Sequence, residues 1–183
     1  MFRIVSVLFL LAIACRSHAQ QLAYQDYEVS QPAEPQGGLS ALQTFMAVNV
    51  RKSFLAQVAN VHGLIILQGV VEPDGCIAEV SILRSLEPDC DAEALRAFGL
   101  FNAWKPAKKD GKPVRQRVTF PYQLPGNPPI DYQKGIATRY YTADMKLVGP
   151  SDTTVRYRAR THVDVLGMPE GPLTYWTRNG SNG

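Results

Sequence analysis

Between Leu39 and Leu124 the spacing of apolar and polar positions changes several times, and each change marks an element. Leu42, Phe45 and Met46 follow Gly37-Gly38 at i, i+3 and i+4, one face of a helix, which predicts a short helix over about 39–50. Gly63 to Val71 is a near-continuous apolar run of strand length, closed by Glu72-Pro73-Asp74-Gly75, a turn in which Pro fixes φ and Gly is free to make it positive. Ile77 to Arg84 alternates, with Ala78, Val80 and Ile82 on one face against Glu79 and Ser81, so the two runs predict a hairpin with one wet face. Asp91 reads as an N-cap, with Glu93 in the first turn and Ala94, Leu95, Phe98 and Phe101 as the apolar stripe of a second helix. After a loop from Trp104 to Val114, Gln116, Val118, Phe120 and Tyr122 alternate with Arg115, Arg117 and Thr119 as a third strand.

The order helix, strand, strand, helix, strand implies an α+β unit in which two short helices pack on a three-stranded antiparallel sheet. A crossover helix makes the third strand parallel to the second in direction, so placing it beside the first leaves every neighbouring pair antiparallel. The first strand, the most continuously apolar, then lies in the centre and the third on an edge. Pro121, without an N–H, is tolerated there. The open edge predicts docking of an extended peptide along Arg115, Gln116, Arg117, Val118, Thr119, Phe120 and Tyr122.

Outside this unit the signals differ. Arg3 followed by the apolar run Ile4 to Ala14 and by Ser17-His18-Ala19 reads as a secretory signal peptide over residues 1–19. At about 1.5 Å per residue that run spans about half of a hydrocarbon core, short for an uncleaved anchor. Ala12-Ile13-Ala14-Cys15 also approximates a lipobox, which would make Cys15 a lipidation site and the protein a tethered lipoprotein. Either way the expected location is the periplasm. Residues 20–38, with Pro32, Pro35, three acids and no basic residue, have the composition of a linker. Residues 125–183 read as a β-rich tail, ending in one MORN-like hairpin from Gly167 through Tyr175-Trp176 to a turn at Asn179-Gly180. A single such unit cannot bury its own face, so it must pack on something else or remain mobile.

Composition narrows the chemistry. The net charge of +3 over 183 residues, with 19% charged, is too small for a broad nucleic-acid footprint, so no nucleic-acid partner is expected. That total hides an uneven distribution. Residues 72–93 hold seven acids against Arg84 alone, while residues 105–117 hold Lys105, Lys108, Lys109, Lys112, Arg115 and Arg117 against Asp110. These are two solvated faces, or a basic rim that steers an acidic segment toward the edge. His18, His62 and His162 are scattered and far from both Cys76 and Cys90, so no metal or cofactor is expected. A strand between the two cysteines carries the chain away, so free or buried thiols are expected in preference to a bridge. No nucleophile–base set accompanies Asp89 and Asp91, and an enzyme is not expected.

Gly37-Gly38, Asn49, Ala56, Gly63, Asp74-Gly75, Val80, Asp91, Glu93-Ala94-Leu95-Arg96, Trp104-Lys105-Pro106-Ala107, Asp110-Gly111-Lys112-Pro113-Val114 and Phe120-Pro121 form an ordered series. In that order the stretch from Gly37 to about Leu124 resembles the TonB C-terminal domain family, in the form common among Bacteroidetes-like sequences. One departure is Lys52-Ser53, where the family usually has Tyr-Pro before the first strand. The resemblance implies an interaction module in TonB-dependent transport, whose partner is an outer-membrane receptor or another envelope protein. A complete transducer of that family would add an inner-membrane helix and a long proline-rich spacer, neither of which the sequence contains. The alternative is an envelope structural or assembly protein, in which the unit and its tail serve self-association without energy transduction. Trp104 stands either at the docking rim or in the core over the second helix.

Overall fold

The computed structural model describes residues 22–164 and 166–177. The signal peptide, Cys15 and the Asn179-Gly180 turn lie outside those residues. The helices are α1 (Gly38–Asn49), α2 (Phe54–Val58) and α3 (Pro88–Leu100). The first seven strands are β1 (Glu34–Pro35), β2 (Gly63–Val71), β3 (Ile77–Arg84), β4 (Trp104–Lys105), β5 (Ala107–Lys109), β6 (Lys112–Val114) and β7 (Gln116–Leu124). The main sheet runs β3-β2-β7, all antiparallel, with β2 central and paired to β7 along its whole length from Gly63↔Leu124 to Val71↔Gln116. This is the expected α+β arrangement with one helix more than the sequence pattern predicts. A five-residue helix shows too little periodicity to announce itself, and α2 is held instead by Ser53, whose side chain accepts the Ala56 N–H.

The core fills the space between β2, β7 and the helices. Phe98 of α3 is fully buried, stacked on Phe120 of β7 at 5.8 Å between ring centroids, with Trp104 edge-on at 6.4 Å. Trp104 is a core residue, 5% exposed, and its indole N–H donates to the Phe101 carbonyl at 3.0 Å. Its backbone closes the hairpin turn from outside. Gly75 has φ +85, and a Cβ there would lie 2.6 Å from the Trp104 carbonyl oxygen, so the turn needs glycine for both conformation and space.

Helix α3 begins earlier than the Asp91 cap implies. Pro88 occupies the first helical position and Glu87 is the N-cap, its carboxylate accepting the Cys90 N–H at 3.0 Å, a bond that holds its pKa below the usual carboxylate range. Asp91 lies one turn inside the helix and reaches back. It accepts Ser85 Oγ at 2.5 Å and the Leu86 N–H at 3.0 Å, closing the loop that enters the helix. Cys76 and Cys90 are free thiols, the first exposed and the second buried, where burial pushes its pKa up to about 12.

The segment with linker composition is instead a strap across the sheet edge. Tyr24 N–H donates to the Arg115 carbonyl and Arg117 N–H to the Tyr24 carbonyl, both at 2.9 Å, so the strap pairs in parallel with the start of β7. Further along, Gln31 exchanges backbone bonds with Lys108, and β1 pairs with β4. The buried Gln116 amide clamps it from below, accepting the Ala33 N–H at 2.5 Å and donating to Asp26 at 3.2 Å. Proline and acids do not prevent such packing, because an extended strand without periodicity needs only backbone partners.

The tail forms a second sheet from β8 (Asp131–Gln133), β9 (Ile136–Tyr141), β10 (Leu147–Val148), β11 (Tyr157–His162) and β12 (Thr174–Thr177). Its order is β10-β9-β11-β12, with β8 also on β9. Ile130, Ala137 and Val163 meet Phe54 of α2 in a small second core, and Phe54 stands edge-on to Tyr132 at 5.3 Å. The Trp176 strand therefore pairs with β11 and is not an isolated unit.

Two substitutions test this packing. Phe98→Ala removes the ring that joins α3 to β7, with an expected loss of about 3–5 kcal/mol in denaturant unfolding. Gln116→Ala leaves the Ala33 N–H without its acceptor and costs about 1–3 kcal/mol. In that variant amide hydrogen exchange is expected to accelerate at Tyr24 and Ala33 while the β2 and β3 amides hold their protection.

Candidate peptide-docking edge

Strand alternation fixes which backbone groups β7 offers to a partner. Arg115 and Arg117 point their carbonyl and N–H away from β2, toward Tyr24. Successive residues alternate sides, so Thr119, Pro121 and Gln123 also face outward, and Gln116, Val118, Phe120 and Tyr122 face β2. Pro121 thus lacks its N–H on the outer side, where no β2 bond is lost. The edge is not open along its full length, as the sequence pattern alone suggests. Tyr24 covers the Arg115–Arg117 end, and beyond it no strand pairs with the outer side of 118–124 among the described residues.

The predicted edge residues divide by environment. Gln116, Phe120 and Tyr122 are buried; Gln116 holds the strap through its amide, and Phe120 also lines the groove beside the strand. Val118 and Arg117 are half-buried, Thr119 is exposed, and Arg117 Nε is buried without a hydrogen-bond partner. Beside this stretch lies a groove of about 430 Å³, lined by Leu39 and Leu42 of α1, Trp104, Val118, Phe120 and the strap residues Asp26 and Pro35. The groove is apolar at its base and continuous with the free part of β7, a combination suited to an extended chain with one apolar side chain pointing inward.

The charged rim is less polarised than the sequence suggests. Arg115 reaches back to the hairpin, to Glu72 at 2.8 Å and Glu79 at 2.6 Å, and these two carboxylates hold its guanidinium above its ordinary pKa. Glu79 adopts φ +50 at an irregularity in the β2–β3 pairing, which places it within reach. Glu93 is paired with Arg96 at 2.8 Å, Glu87 caps α3, and Asp91 clamps the loop before it. The acidic hairpin and the basic edge are thus joined directly through Arg115. Of the basic rim, Lys109 lies over the Tyr24 ring at 4.2 Å and holds the strap. Lys105, Lys108 and Lys112 are exposed, although the Lys108 backbone is bonded to Ser30 and Gln31.

Sequence reasoning missed Tyr24, which pairs with the edge backbone, and Ala33, whose N–H is held by the Gln116 side chain. The available signal was slight, one apolar triplet Leu22-Ala23-Tyr24 ahead of an acidic stretch.

Two NMR solution structures of the Helicobacter pylori TonB C-terminal domain are similar to this chain. That of residues 194–285 has 19% identity and a TM-score of 0.38, covering 49% of this chain and 96% of that one. That of residues 179–285 has 19% identity and a TM-score of 0.34, covering 49% of this chain and 82% of that one. No curated protein sequence matches. Residues 55–124, from within α2 to the end of β7, match the family model of the Gram-negative bacterial TonB protein C-terminal.

Proposed function

We propose that the chain is an exported protein-interaction module of the TonB type, which binds an extended peptide of an outer-membrane receptor or another envelope protein by strand addition to β7. The observation that carries this reading is the pair of backbone bonds that Tyr24 already makes to Arg115 and Arg117. An edge that accepts a strand from its own chain has the twist and exposure to accept one from another. The incoming peptide would take the outward groups of Thr119 and Gln123, and the strap would set where it begins. Its inward side chains would enter the groove over Leu39, Leu42 and Phe120. Exposed Lys105, Lys108 and Lys112 would favour acidic segments, mainly through association rate.

The fold of residues 55–124 and the absence, among the described residues, of a helix long and apolar enough to cross a membrane are both compatible with this role. Cleavage after Ala19 would release the module into the periplasm, and lipidation at Cys15 would tether it.

A backbone-resolved NMR titration with extended receptor-derived peptides tests the reading. Shifts are expected at Thr119, Gln123 and Leu39. Thr119→Pro removes an outward N–H and no β2 bond, and should weaken binding roughly twofold to tenfold while the β2–β3 resonances stay in place. Neutralising Lys105, Lys108 and Lys112 together should slow association and leave dissociation nearly unchanged. A titration that leaves residues 115–124 unmoved would sink the proposal.

A further inference from the structure

The tail sheet contains a repeat that only its register makes visible. Gly135-Ile136-Ala137-Thr138-Arg139-Tyr140-Tyr141 and Gly171-Pro172-Leu173-Thr174-Tyr175-Trp176-Thr177 share a glycine, a threonine three residues on and an aromatic ring two residues after that. Both segments pair antiparallel with β11, one on each side, in the same register. Thr138 and Thr174 lie opposite Arg160, and Tyr140 and Trp176 lie opposite Arg158. Strands β9 and β12 are therefore equivalent neighbours of β11.

Their outer sides are not equivalent. The outer side of β9 is covered within the chain, with Asp131 of β8 opposite Thr138 and Val148 of β10 opposite Tyr140. Thr174 to Trp176 have no strand on the corresponding side among the described residues. The covered half is a template for what the uncovered half would take. Running antiparallel to β12, an apolar residue would lie opposite Trp176, in the place of Val148. An acidic residue two positions later would lie opposite Thr174, in the place of Asp131.

The charge agrees with the template. Arg158 and Arg160 hold their guanidiniums over the Trp176 ring, at 5.0 and 5.7 Å from its centre, which carries positive charge from β11 one strand outward toward the free edge. Neither forms an ion pair among the described residues, and the nearby Asp152 carboxylate is engaged by the Thr154 N–H and hydroxyl at 2.8 and 2.6 Å. On the covered side, Asp131, Thr138 and Arg160 line one small hollow, so an acid, a short threonine and an arginine already share a row there.

We infer that the Thr174–Trp176 edge binds an extended peptide of another protein that carries an apolar residue followed two positions later by Asp or Glu. Backbone pairing to β12 supplies the affinity, and Arg160 reading the carboxylate across Thr174 supplies the selectivity. This edge lies on a different sheet from the β7 edge and stands whether or not that one binds a receptor.

A short synthetic peptide of alternating valine and threonine, with one aspartate two residues after a valine, is the probe. NMR titration into the purified protein should move the Thr174–Trp176 amides and the Trp176 indole. Replacing the peptide's aspartate by lysine should weaken binding about tenfold, Arg160→Gln about threefold, and Arg160→Lys should recover part of that loss. N-methylation of the peptide backbone should abolish it. Indifference to the aspartate-to-lysine exchange or to Arg160→Gln would overturn the inference. So would shifts confined to Thr119 and Gln123, or burial of the same amides by concentration-dependent self-association without peptide.

Discussion

An edge strand leaves every second N–H and carbonyl without a partner, and the way β7 meets that constraint organises the rest of the domain. The apolar run 63–71 is central, with Ile65, Leu67, Val70 and Val71 buried and a strand on each side, so β7 falls on the outside. Three devices then limit what the edge can bind. Tyr24 covers its first outward groups, Pro121 removes one N–H further along, and α1 borders the groove beside it. What is left open among the described residues is the short outer side of 118–124.

The strap and the core depend on each other through Gln116. Its position on the inward face of β7 follows from the same alternation that buries Phe120 and Tyr122, yet an amide in that place would be costly without partners. Ala33 and Asp26 supply them. A polar residue at an apolar register position is therefore the feature that ties residues 22–36 to the sheet, and displacement of the strap would expose the amide as well as the edge.

Most of the domain's architecture was legible because its signals are local. The hairpin turn at Glu72 to Gly75, the alternation of β7 and the stripe of α3 each follow from neighbouring residues, and their order then fixes the antiparallel topology. The features that escaped are those whose partners lie far away in sequence. Tyr24 meets Arg115 and Arg117, Arg115 meets Glu72 and Glu79, and Asp91 turns from helix cap to loop clamp once Pro88 has begun the helix. Composition could name residues 20–38 a linker because extended backbone has no period to read. The charge blocks were visible too, but not that one arginine joins them.

The two sheets apply the same constraint with different chemistry. Beside β7, Arg115 is held by two carboxylates and Lys109 is committed to Tyr24, next to a groove floored by Leu42, Trp104 and Phe120. At β12 the cations are free of carboxylates and are held in place by an aromatic ring instead. A guanidinium over a tryptophan keeps its charge available, whereas one between two glutamates does not. The two edges thus differ in how their cations are held: Arg115 beside β7 is neutralised by Glu72 and Glu79, while Arg158 and Arg160 beside β12 lie over an aromatic ring without a carboxylate partner among the described residues.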